Sequence, residues 1–144
     1  MKVRLGIFSI ALLALLLMTS ASSAVSTGIE FKSLGLEEAK TLSKKSGKLI
    51  FIDCYTVWCG PCKRMAATSF KDPSVGKLYN ENFINLKVEM EKDPDGRALA
   101  AKYKVRAYPT LLIIDGNGTL IKKVVGLQSK DGLLIMGKGA LSSR

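Results

Sequence analysis

Apolar and polar positions divide the chain into a leader and a patterned body. Leu5 to Met18 is an almost unbroken apolar run of 14 residues behind the basic pair Lys2 and Arg4, and Thr19 to Ala24 is a string of small residues. That three-part layout predicts a secretory signal peptide over residues 1–24, cut after Ala24 or Ala21. The apolar run falls short of the roughly 20 residues a spanning helix needs, which favours cleavage over the alternative of an uncleaved membrane anchor.

Beyond the leader the pattern becomes periodic. Ile29 to Leu34 alternates as a short strand does, and Leu36 to Ser46 carries Leu36, Ala39 and Leu42 at helical spacing with Gly47 as a stop signal. Lys48 to Tyr55 contains Leu49-Ile50-Phe51-Ile52, the continuous apolar run of a strand covered on both faces. A helical pattern runs from Cys59 to about Ser69, and Asp72-Pro73 supplies a cap and a first-turn proline for a short helix through Leu78 and Tyr79. Phe83 to Met90 reads as a strand, residues 91–96 as a loop and Arg97 to Tyr103 as a helix. Thr110–Ile114 and Thr119–Val125 flank Asp115-Gly116-Asn117-Gly118, which is hairpin chemistry. The tail from Ser129 starts as a capped helix that Gly132, Gly137 and Gly139 weaken. The order β-α-β-α-β-α-β-β-α predicts an α/β fold, one domain over residues 25–144 with a mixed central β-sheet flanked by helices on both faces.

Length and charge narrow the picture. Without residues 1–24 the chain has 120 residues, enough for one core and not two. Taking Lys2 and Arg4 from the 22 basic residues leaves 20 against 12 acidic ones, a net charge of +8. The basic residues are scattered, with no aromatic residues interleaved among them. They therefore describe a solvated basic surface and not a nucleic-acid site. Export would place the chain in an oxidising compartment, where cysteines able to pair do so unless they are reduced.

All three cysteines, Cys54, Cys59 and Cys62, lie within 50-IFIDCYTVWCGPCKRM-65. Their CxxxxCxxC spacing matches plant-type ferredoxins, but a two-iron cluster needs four thiolates, and the chain has three cysteines and no histidine. The same shortage argues against structural zinc. Lys63 stands where a haem attachment motif would place a histidine. No metal and no cofactor beyond the cysteines themselves is expected. The remaining reading is a redox dithiol. Cys59 sits where a buried strand passes into a helix, so its sulfur would meet the free amides and positive end of that helix, which favour the nucleophilic thiolate. Cys62 returns to the same side of the first turn and can close a disulfide with Cys59. Gly60 lets the turn bend, and Pro61 stiffens it where no helical amide is needed.

Over residues 29 to 141 the chain resembles thioredoxin-like proteins. The resemblance rests on Trp58-Cys59-Gly60-Pro61-Cys62-Lys63, on Asp53 six residues ahead of Cys59, on Pro109-Thr110 before the hairpin and on Gly126 after it. Ser69 to Val75 is closer to secreted members and to the C-terminal domain of bacterial thiol:disulfide interchange reductases than to cytosolic thioredoxin. The resemblance implies a thioredoxin fold, with Cys59 as attacking thiol and Cys62 as resolving thiol. Asp53 would be a buried acid of raised pKa that accepts the Cys62 proton, and Lys87 the lysine accompanying it. Pro109 would be cis and face the dithiol, Tyr108 would bind an extended substrate, and Trp58 would cover one side of the site. Blander roles stay open for three of these: Asp53 as a strand-end cap, Tyr108 as packing and Trp58 as a lid. Strand alternation turns Cys54 away from Asp53, which makes it an inert core thiol.

The Gly-Pro dipeptide and the acid at position 53 resemble those of reducing members, and the chain lacks the histidine that oxidising members commonly carry between the cysteines, so the resemblance implies a reductase; with the leader of residues 1–24 the expectation is an exported, monomeric one in a bacterial periplasm. Its partners would be cysteine-containing exported proteins and an upstream electron donor, a membrane thiol reductase. A disulfide oxidase or isomerase, or a thioredoxin-like binding module with an idle disulfide, are the alternatives.

Overall fold

The computed structural model describes Thr27 to Ser143, so the predicted leader lies outside the described residues. Its centre is β1 (Leu49–Tyr55), buried along its length except at Tyr55. A strand apolar on both faces needs partners on both edges. The parallel β2 (Phe83–Glu89) lies on one side and the antiparallel β3 (Thr110–Ile114) on the other, with β4 (Leu120–Val125) outside β3. The sheet is therefore mixed, in the order β2-β1-β3-β4.

Period-two alternation sorts β1 between two cores. Ile50, Ile52 and Cys54 pack with Ala39 of α1 (Leu36–Ser46) and with Leu99 and Tyr103 of α4 (Gly96–Tyr103). Leu49 and Phe51 face the opposite way, toward Met65 of α2 (Gly60–Ala67), Tyr79 of α3 (Pro73–Asn82) and Leu133 of α5 (Lys130–Ser142). Helices thus cover both faces, as the element order implies.

Local signals act where the sequence places them. Gly47 ends α1 at φ 71°, its N–H donating to the Ser43 carbonyl. The Asp72 carboxylate accepts from the Ser74 and Val75 amides to start α3, with Pro73 in the first turn. In the hairpin, Asp115 Oδ1 accepts from the Asn117 and Thr119 amides, both at 2.8 Å.

Three expectations are corrected. Residues 29–34 form no strand, and among the described residues the sheet has four strands. The alternation is real, since Ile29 and Phe31 pack against the Phe51 core. However, the segment's backbone bonds are shared between side-chain amides and scattered backbone groups, the Ile29 N–H donating to the Phe70 carbonyl. Asn80 Oδ1 accepts from the Glu30 N–H and Asn80 Nδ2 donates to the Gly28 carbonyl, while the Lys32 N–H reaches β2 at the Asn85 carbonyl. The segment is a strap laid along the sheet edge. The second correction concerns the tail: α5 runs 13 residues despite its glycines. Ser129 caps it through the Gly132 amide, and Gly137 lets it approach α3, because a Cβ there would lie 3.0 Å from Leu78 and 3.2 Å from Tyr79. The helix expected from Cys59 to Ser69 ends at Ala67, followed by a 3-10 turn at Ser69–Lys71.

Gly76 joins the strap to α3: a Cβ there would overlap the Gly28 carbonyl. Gly139, also helical, has open space around it. Helix propensity favours alanine at both sites by up to about 1 kcal/mol, but at Gly76 the overlap costs about 1–3 kcal/mol. Gly139→Ala is therefore expected to raise the urea midpoint and Gly76→Ala to lower it.

Candidate active site

The loop 56–58 leaves β1 and delivers Cys59 to the amino end of α2. Cys59 is the cap residue, and its Sγ accepts from the Cys62 N–H at 3.2 Å. Cys59 and Cys62 form a disulfide, with Cα atoms 5.3 Å apart. Gly60 is exposed, and Pro61 occupies the first turn, where no intrahelical amide bond is lost. The loop itself is exposed at Val57 and Trp58, yet Cys59 and Cys62 are only 3% and 2% exposed, so the sulfurs lie below the rim.

Asp53 follows strand alternation onto the Phe51 face, the face that α2 covers. It is wholly buried, and its register partner on β2 is Lys87, whose Nζ lies 3.2 Å from Asp53 Oδ2. The contact is ionic; neither carboxylate oxygen receives a directed hydrogen bond among the described residues. Burial pushes the Asp53 pKa up, and Lys87 opposes that rise only in part. A carboxyl held in this way keeps its proton to higher pH than an exposed one does.

A second wall comes from β3. The Tyr108-Pro109 bond is cis. Thr110 pairs with Cys54, which places Pro109 at the end of the sheet where β1 passes into the cysteine loop. The Pro109 carbonyl accepts from the Gly126 N–H at 2.8 Å, fixing the residue that follows β4. The Tyr108 ring meets Trp58 edge to face at 5.9 Å, so the two aromatic candidates stand together.

Two acids that sequence reasoning missed hold this rim. Trp58 Nε1 donates to Glu91 Oε1 at 3.0 Å. Glu89 brackets both loops: its Oε1 accepts from the Val57 amide at 3.2 Å, and its Oε2 from the amides of Glu91 at 3.0 Å and Lys92 at 2.7 Å. The only sequence signal is a pair of glutamates where β2 ends. Their partners in the cysteine loop, Val57 and Trp58, are 32 and 33 residues upstream, beyond any local pattern.

Cys54 is fully buried on the Ile50 and Ile52 face, away from Asp53, and remains a free thiol. Burial, reinforced by the charge of Asp53, drives its pKa far up, which leaves it without thiolate character. Among the described residues no group of His, Cys, Asp or Glu is arranged to hold a metal ion.

The four-stranded mixed sheet, the cis proline and a disulfide across the first turn of a helix define a thioredoxin-like fold carrying a Cys-Gly-Pro-Cys disulfide. The chain belongs to the thioredoxin-like domain family, whose model matches residues 36–139. It is 30% identical over 122 residues to the thiol:disulfide interchange protein DsbD of Haemophilus influenzae, a match covering 78% of this chain and only 21% of that much longer protein. It is 35% identical over 81 residues to Thioredoxin-1 of Drosophila melanogaster, covering 56% of this chain and 70% of that one. Among solved structures it is similar to a candidate disulphide-isomerase from Bacteroides thetaiotaomicron, with 42% identity and a TM-score of 0.70 over 81% of this chain and 97% of the other.

The raised Asp53 pKa makes a stability prediction. Between its unfolded and folded pKa values the native state binds the extra proton, so the stability associated with Asp53 is complete in acid and is lost as pH rises through the folded value. Asp53→Asn is therefore expected to be more stable than the wild type at neutral pH, with the difference closing below the ordinary carboxylate range. Urea unfolding at several pH values measures this, and a pH-independent difference would contradict it.

Proposed function

We propose that the chain is an exported thiol:disulfide oxidoreductase that works mainly as a reductase of exported proteins. The observation that carries this reading is the Cys59–Cys62 disulfide at the amino end of α2, with a buried acid, Asp53, on the sheet face beneath that helix. In the reduced enzyme the Cys59 thiolate attacks one sulfur of a client disulfide, forms a mixed disulfide and expels the other client sulfur as a thiolate. Asp53 takes the proton from Cys62, whose thiolate attacks the Cys59 sulfur. Closure of Cys59–Cys62 releases the second client thiolate, so two electrons have passed to the client. Lys87 compensates the charge on Asp53. Pro109 and Tyr108 line the place where an extended client lies, and Trp58 bounds it on the other side.

The direction is supported by Gly60-Pro61 between the cysteines and by a chain without histidine to stabilise the thiolate further. Export is supported by the leader pattern of residues 1–24, with residues 25–144 as the mature thioredoxin-like domain in a bacterial periplasm. Turnover then requires a membrane thiol reductase as upstream donor. The catalyst acts as a monomer, takes no cofactor and binds no nucleic acid. A second reading, reshuffling of client disulfides, is favoured by the 42% identity to the candidate disulphide-isomerase.

Three measurements separate these readings. Cys59→Ser is expected to abolish disulfide reduction, whereas Cys62→Ser accumulates mixed disulfides whose identification names clients and donor; function intact in Cys59→Ser would leave only a binding module. The Cys59–Cys62 potential is expected at or below about −240 mV, the range of the glutathione pool, and a clearly more oxidising value would rule out the reductase. Recovery of scrambled ribonuclease without added reductant would favour the isomerase.

A further inference from the structure

Asp53 is not the only group holding Lys87. The Lys87 ammonium lies 4.4 Å from the ring centroid of Tyr55, 5.6 Å from that of Phe31 and 5.7 Å from that of Phe70. All three are within the range at which a ring attracts a cation. The rings come from separate parts of the chain: Tyr55 closes β1, Phe70 lies in the 3-10 turn and Phe31 in the strap. Phe31 is itself set by Phe70, edge to face at 5.4 Å.

The ammonium has somewhere else to go. The Lys87 side chain keeps 27% of its exposure, and a cavity of about 380 Å³ opens beside it, bounded by Gly28, Phe31, Ala66, Phe70 and Lys71. A long lysine side chain gains rotamer freedom and hydration by swinging out. Against that stands one ionic contact without directed hydrogen bonds, and the rings.

We propose that Phe31 is a positioning residue of the redox site: its ring, with those of Tyr55 and Phe70, confines the Lys87 ammonium against the Asp53 carboxylate. The strap is then part of the site, and its anchoring by Asn80, Asn85 and the Gly28–Gly76 contact sets how firmly Lys87 is held. The inference rests on the reading of Asp53 and Lys87 as the proton-handling pair.

The test is the titration of the Asp53 carboxyl carbon, followed by NMR in the oxidised protein, where Cys59 and Cys62 do not titrate. The other ionisable groups on the Asp53 face are Lys87 from β2 and Tyr55 from its own strand; Cys54, next along the chain, points to the opposite face, burial pushes both Tyr55 and Cys54 upward, and β3 offers Leu111. Phe31→Leu keeps the bulk and removes the ring; Phe31→Tyr keeps the ring. Phe31→Leu is expected to raise the midpoint by about half a pH unit, Phe31→Tyr to restore it, and Phe31→Leu to add nothing in a Lys87→Met background. Equal shifts in both backgrounds, or no shift with Lys87 present, overturn the proposal. Should Phe31→Leu fail to fold, Phe70→Leu makes the same comparison from the opposite wall. The expected midpoints together with an unchanged rate of disulfide reduction would support the confinement and overturn the proton-handling reading beneath it.

Discussion

Burial of β1 on both faces and pairing along both its edges fix everything at the redox end of the molecule. A strand held that firmly cannot slip in register, because a one-residue shift would exchange the two faces. The consequence is visible in two adjacent residues. Asp53 and Cys54 are both fully buried, yet alternation sends the acid toward the face of α2 and the thiol into the opposite apolar core. The same register sets Lys87 opposite Asp53 and Thr110 opposite Cys54, and so brings the cis proline to the cysteine loop. One strand thus aligns the acid, its counter-charge and the groove wall.

The parts of the fold legible in the sequence are those where local chemistry decides. The apolar run of β1, the Gly47 stop, the Asp72-Pro73 start and the Asp-Gly-Asn-Gly hairpin each act within a few residues of themselves. The Cys-Gly-Pro-Cys turn belongs with them, since a cap, a glycine and a proline specify a helix start. What was illegible depends on distant partners. Residues 29–34 have the alternation of a strand, but Asn80 and Asn85 take over part of the role a neighbouring strand would play. In α5 three glycines suggest a weak helix, and only the packing against α3 shows why Gly137 belongs there.

The site divides in the same way. Cys59 and Cys62 follow from their spacing, while Asp53, Lys87 and Pro109 were reached through resemblance, and the structure supplies their geometry. Glu89, Glu91 and Phe31 are not legible as site residues, because each acts on a residue brought near only by the sheet and the loops around it. Glu89 and Glu91 brace the rim. Trp58 is largely exposed but pinned at its indole nitrogen and braced by Tyr108, so it is a fixed wall with an open face.

The third cysteine has a practical meaning of its own. Cys54 is sealed in the core with its thiol strongly disfavoured as a thiolate, while the other two cysteines share a disulfide at the site. In alkylation experiments the count of modifiable sulfurs therefore reports two separate things. The pair reads the oxidation level of the protein, and the single buried sulfur reads whether the chain is folded, an internal gauge that tells denaturation apart from reduction.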